Sequence, residues 1–126
     1  MSRGKILIID DDKLSRASIG DLMRSKGFMV VVAEDGKKGL AVAEKEKPDV
    51  IILDVMMPSM DGFEVCQHLK RDAGLASIPV IILTASEDTH LTQKAFQAGA
   101  AFTLPKGSPP ERLLSTLALA LSLRPG

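Results

Sequence analysis

Five residues at separated positions share one chemistry. The stretch 48–62 reads P-D-V-I-I-L-D-V-M-M-P-S-M-D-G. Within it, four apolar residues, Val50 to Leu53, run directly into Asp54. An apolar run of that length, bounded by Pro and Gly, suits a strand buried on both faces. An ionised carboxylate at the end of such a strand is costly unless a cation or hydrogen-bond donors compensate it. Comparable positions elsewhere hold Asp10 and Asp11 after I-L-I-I, Thr84 at the end of V-I-I-L-T, and Lys106 after T-L-P. Three carboxylates gathered in one place repel one another, and a divalent cation removes the repulsion. An all-oxygen set without Cys or His points to Mg²⁺ or a similar hard ion such as Mn²⁺ rather than zinc. Asp54 could then attack a phosphoryl group. The metal and Lys106 would stabilise charge on that group, and Thr84 would hydrogen-bond one of its oxygens.

The elements that must bring these residues together can be read from apolar patterning. Strands are expected at Lys5–Ile9, Met29–Ala33, Val50–Asp54, Val80–Thr84 and Ala100–Leu104, the last closed by Pro105. A helical pattern follows each strand: about Leu14–Lys26, Lys37–Lys45, Phe63–Asp72, Thr89–Ala98 and a last helix running to Leu123. Leu14, Ile19, Leu22 and Met23 are the expected core contacts of the first helix. Gly27 is expected as its left-handed terminal residue, with Phe28 just beyond. The last helix is expected to open on Ser108 as N-cap, with a proline at its first position and Glu111 completing a capping box. The alternation describes a (βα)5 chain: a five-stranded, doubly wound parallel sheet with helices on both faces. In open sheets of this kind the ligand site lies beyond the carboxyl ends of the strands. All five residues stand there.

Composition narrows the function classes. The chain has 126 residues, enough for one domain with a real core, and residues 124–126 read as a tail or linker stub. Lys plus Arg equals Asp plus Glu at 16 each, so no basic surplus argues for nucleic-acid binding. There is no apolar run of membrane-spanning length and no signal-peptide core, and the single cysteine, Cys66, has no internal partner. A cytoplasmic protein is expected.

On the motifs I-L-I-I-D-D-D, P-D-V-I-I-L-D-V-M-M-P-S-M-D-G, P-V-I-I-L-T-A and L-P-K, the chain resembles a receiver domain of bacterial two-component response regulators, of the chemotaxis-regulator type. The resemblance runs along essentially the whole chain and implies a flavodoxin-like sheet of order 2-1-3-4-5. It implies that Asp54 is the phosphoacceptor. Asp10, Asp11, Asp54 and the backbone carbonyl of Met56 would hold Mg²⁺. Thr84, the backbone of Ala85, and Lys106 would bind the phosphoryl group. A phosphorelay partner follows, either a histidine kinase or a histidine phosphotransfer protein, and so does a downstream effector. The domain would catalyse only its own phosphorylation and dephosphorylation, and so would not count as a conventional enzyme.

Two positions depart from the family pattern. Thr103 stands where many members carry an aromatic switch residue, and the aromatic is Phe102, one place earlier. Gly107 follows Lys106 where many members have proline, often after a cis bond.

Other residues have simpler readings. Asp12 is expected to cap the first helix, Asp61 to start the third, and Asp35 and Asp49 to serve turns. His68 and His90 read as surface histidines, and Cys66 as a buried small hydrophobe. Leu113, Leu114, Leu117 and Leu121 share the core arc of the last helix. Leu119 and Leu123 fall outside it and suggest an interface, such as a homodimer through helix 4, strand 5 and helix 5. Three competing readings remain at this point: an Mg²⁺-dependent phosphohydrolase, a flavin-binding module, and a pseudo-receiver that only makes contacts. Met56 lacks the second acid expected of the first. Asp10-Asp11-Asp12 would repel the phosphate of the second.

Overall fold

The computed structural model describes residues 3–55, 61–85 and 89–123. Five strands alternate with five helices. They are β1 (Lys5–Ile9), α1 (Lys13–Ser25), β2 (Met29–Ala33), α2 (Gly36–Glu46), β3 (Val50–Asp54), α3 (Gly62–Arg71), β4 (Val80–Thr84), α4 (Thr89–Gln97), β5 (Phe102–Pro105) and α5 (Pro110–Ser122). All strand pairs are parallel, in the order β2-β1-β3-β4-β5, as expected. Among the described residues, no helix is long and apolar enough to cross a membrane.

Alternation along the strands splits the core in two. One cluster holds Leu7, Ile9, Ile51, Leu53 and Ile82 with Phe63, Leu69 and Ala95 of α3 and α4. The other holds Ile6, Ile8, Ile52, Ile81 and Leu83 with Met23 of α1 and Leu113 and Leu117 of α5. Every residue of β3 and β4 is buried. Each such aliphatic side chain contributes about 1.5–3 kcal/mol on leaving water. The edge strand β2 is more open, with Met29 and Val32 exposed.

Helix ends follow local chemistry. Asp12, Asp35 and Asp61 cap α1, α2 and α3, each accepting a backbone N–H from the first turn. The Asp49 carboxylate accepts the Lys5 N–H at 2.8 Å. Past α1, Gly27 has φ +91°. Its N–H reaches Arg24 O, and the N–H of buried Phe28 reaches Met23 O, the expected left-handed stop.

Three expectations need correction. Leu14 is 80% exposed rather than in the core. It lies nine residues before Met23, and nine steps of about 100° make two and a half turns, so it faces the opposite way. Ser108 is not the N-cap of α5: Pro109 is, without a side-chain cap bond. A residue before proline is steered away from helical geometry, and Pro109, at ψ 148°, precedes Pro110. The Ser108 hydroxyl instead donates to Pro105 O at 2.6 Å, closing the turn after β5. Finally, β5 starts two residues late and includes Pro105. The Ala100 N–H is already bonded to Ala95 O in the turn that ends α4. A proline is tolerated in β5 because it is an edge strand.

Candidate functional site

Register brings the site together. Ile9 pairs with Leu53, so Asp10 and Asp54 emerge side by side where β1 and β3 end. Asp54 pairs with Leu83, and Thr84 with Pro105, so Thr84 and Lys106 follow at the same rim. The Lys106 N–H donates to Thr84 O at 2.6 Å, which fixes the start of the β5–α5 turn against β4. Gly107 continues that turn at φ +86°, a conformation that suits glycine. The described residues contain no cis peptide bond.

Asp10 and Asp54 are almost wholly buried, while Asp11 is exposed. Oxygen atoms of the three carboxylates lie within 4.8 Å of one another. Lys106 partly compensates the charge: its Nζ lies 2.8 Å from Asp54 Oδ2 and 3.4 Å from Asp10 Oδ1. Burial pulls the pKa of this ammonium down. The hydrogen bond and charge of Asp54, then the charge of Asp10, outweigh that and hold it above the ordinary lysine value. Among the described residues, one ammonium stands against a cluster of three carboxylates, which leaves room for further positive charge. Asp10 Oδ1 also accepts the Asp12 N–H at 2.9 Å, whereas Asp10 Oδ2 is buried and has no hydrogen-bond partner among the described residues. An orphaned carboxylate oxygen inside an all-oxygen cluster fits a hard divalent cation held by Asp10, Asp11 and Asp54.

Thr84 is 2% exposed, and its hydroxyl reaches Leu104 O at 3.5 Å. Ala85 follows at the surface, where its backbone could serve the same rim. Met56, expected to offer a carbonyl to the metal, lies outside the described residues. The start of α3 is pressed against the site: a Cβ on Gly62 would lie 2.5 Å from Val55 Cα, next to Asp54.

Phe102 packs on the cluster shared with α1 and α5. Thr103, the next residue, pairs with Ile82 of the opposite cluster, so the two face opposite ways as expected. His68 and His90 are exposed. Cys66 is buried, and burial pushes its thiol up to about 11, with the Lys70 ammonium opposing, which leaves it unreactive near neutral pH. Leu119 and Leu123 are 56% and 57% exposed.

Sequence reasoning missed Arg16. Its Nη1 donates to the backbone carbonyl of Asp10 at 2.8 Å. The signal was available, because Arg16 lies seven positions before buried Met23, almost on the same arc of α1. A basic residue on a core-facing arc calls for a partner.

The profile described as "Response regulator receiver domain" matches residues 6–118 of the chain. The response regulator MprA of Mycolicibacterium vanbaalenii is 35% identical over 113 residues, covering 90% of this chain and 48% of MprA. The chain thus spans about half the length of such curated relatives. Protein PilH of Pseudomonas aeruginosa is 36% identical over 118 residues, covering 94% of this chain and 98% of PilH. Among solved structures, the chemotaxis protein CheY4 of Vibrio cholerae superposes with a TM-score of 0.88 at 34% identity, covering 95% of this chain and 98% of that one.

Proposed function

The chain belongs to the receiver-domain family of two-component response regulators, and from that premise we propose that it is a phosphoacceptor switch with Asp54 as the acceptor. The observation that carries this reading is the Lys106 ammonium, which bridges Asp54 Oδ2 and Asp10 Oδ1 within the three-carboxylate cluster. In the reaction, a carboxylate oxygen of Asp54 attacks phosphorus on a phosphohistidine of a histidine kinase or phosphotransfer protein. A P–O bond forms as the P–N bond breaks, and the electron pair returns to the imidazole, which takes up a proton. Mg²⁺, held by Asp10, Asp11 and Asp54, would neutralise charge on the phosphoryl oxygens. Lys106 would move with the new negative charge, and the Thr84 hydroxyl would turn towards a phosphoryl oxygen.

The phosphoryl group on Asp54 carries about −1.5 to −2 charges beside Thr84 and Lys106, in place of the single charge of the carboxylate. It shifts a two-state equilibrium of the surface formed by β4, α4 and β5, which a downstream effector reads. Thr103 carries a reduced relay there. Each chain turns over only its own phosphoryl group, so its product is a changed binding surface rather than a released molecule. A cytoplasmic setting belongs to the same reading.

The test is incubation with acetyl phosphate, with and without Mg²⁺, followed by intact-mass measurement. One phosphoryl group is expected to be gained only with Mg²⁺, and none by Asp54→Asn. No gain by the native chain would favour a pseudo-receiver. Sustained release of phosphate from monoesters would favour a phosphohydrolase.

A further inference from the structure

The acidic pair is built on a backbone that is held on both sides, with the Arg16 side chain at one of them. Asp10 N–H donates to Ala33 O at 3.1 Å, and Asp10 O accepts Arg16 Nη1 at 2.8 Å. Two residues on, Asp12 O accepts the Arg16 backbone N–H at 2.9 Å. The bond after Asp11 is the main-chain bond of the first turn of α1, and the one before it belongs to the Arg16 side chain. The Asp11 side chain is exposed. Its position is set by its two peptide units, and the first of these contains the Asp10 carbonyl that Arg16 holds.

Arg16 is half-buried on α1, and beyond Asp10 it faces the β2–α2 turn. There the Lys38 ammonium beside Glu34 holds the Glu34 carboxyl below the usual range, with Arg16 adding a smaller push in the same direction. The guanidinium thus binds the back of the acidic pair, through the main chain, while Lys106 faces its front.

We propose that Arg16 is a positioning residue for the divalent cation: by holding the Asp10 carbonyl it fixes the peptide that aims Asp11, and so sets the affinity of the acidic cluster for Mg²⁺. The proposal rests on the metal-binding reading above. Two physical effects of removing Arg16 have opposite signs, and that makes the proposal testable. Loss of a positive charge near three carboxylates should tighten Mg²⁺ binding. Loss of the grip on the backbone should weaken it, as removing groups that orient metal ligands typically does by about tenfold or more.

Isothermal titration calorimetry with Mg²⁺ at fixed ionic strength measures which effect wins. Arg16→Gln is expected to bind about tenfold more weakly than the native chain. Arg16→Lys, which keeps the charge but loses the fork, lacks the tightening that charge loss brings and is expected to bind no more strongly than Arg16→Gln. Native or tighter affinity in Arg16→Gln would overturn the proposal and leave Arg16 as a charge alone. If Arg16→Gln does not fold, the native chain carries the test through its Arg16 guanidinium NMR signals. These are expected to shift as Mg²⁺ saturates the cluster, and unmoved signals would also overturn the proposal. Titration of the native chain comes first. No binding there would remove the metal site and this proposal together, whereas binding that Arg16→Gln does not weaken removes the proposal alone.

Discussion

At the scale of single residues, the site depends on how much charge it compensates. Asp10 and Asp54 are buried beside one ammonium that is 28% exposed. Removing it takes that cation away from two buried carboxylates. We expect Lys106→Met to lose about 1–3 kcal/mol without divalent ions, somewhat below the cost of breaking a fully buried pair. Added Mg²⁺ should restore most of that loss, because the cation does the missing neutralisation. Urea unfolding with and without Mg²⁺ measures both; equal losses in the two conditions would mean that Lys106 acts through packing. The residue types themselves were legible in the sequence. Carboxylates, a hydroxyl and a lysine at strand ends have few reasons to be there other than chemistry.

At the scale of elements, the connection from site to surface runs through close packing. Gly62 begins α3 directly on Val55, the residue after Asp54. Gly62→Ala drives a methyl group to 2.5 Å from Val55 Cα and 2.8 Å from its Cγ1, and backbone has little room to give. We expect a loss of about 1–3 kcal/mol, typical of overpacking, and slower phosphorylation by acetyl phosphate. A native rate and native stability would show that α3 shifts freely without disturbing Asp54. Element boundaries were less legible than element types. Leu14 was misplaced because an apolar residue near a helix start satisfies a loose pattern while lying half a turn off the core arc. Ser108 was misplaced because two consecutive prolines compete with its capping signal, and the pre-proline restriction prevails.

At the scale of the whole molecule, the exposed residues that matter are those the two core clusters leave unused. Leu119 on α5 and Leu123, the residue that ends it, lie four apart, outside the buried stripe of Leu113, Leu117 and Ala120. A chain with zero formal net charge has no overall repulsion between copies. We therefore expect Leu119→Glu to leave monomer stability within about 0.5 kcal/mol, as a surface change should. We also expect it to abolish any self-association of the phosphorylated chain seen by sedimentation. Unchanged association would exclude this face as the contact.

The sequence alone determined the alternation of strands and helices, because period-two and period-3.6 patterning are local properties. It also determined which residues stand at the strand ends, because apolar runs stop at recognisable positions. The family resemblance already implied the order 2-1-3-4-5, which pairs β1 with β3 and so sets Asp10 beside Asp54. Tertiary structure decided two further things. Burial left Asp10 Oδ2 without a partner among the described residues, which no spacing reveals. Packing of α1 across the end of β1 brought Arg16 to the Asp10 carbonyl. A hydrogen bond from a side chain to a backbone carbonyl leaves no motif, because any residue type supplies the carbonyl; only the fold shows which one is within reach.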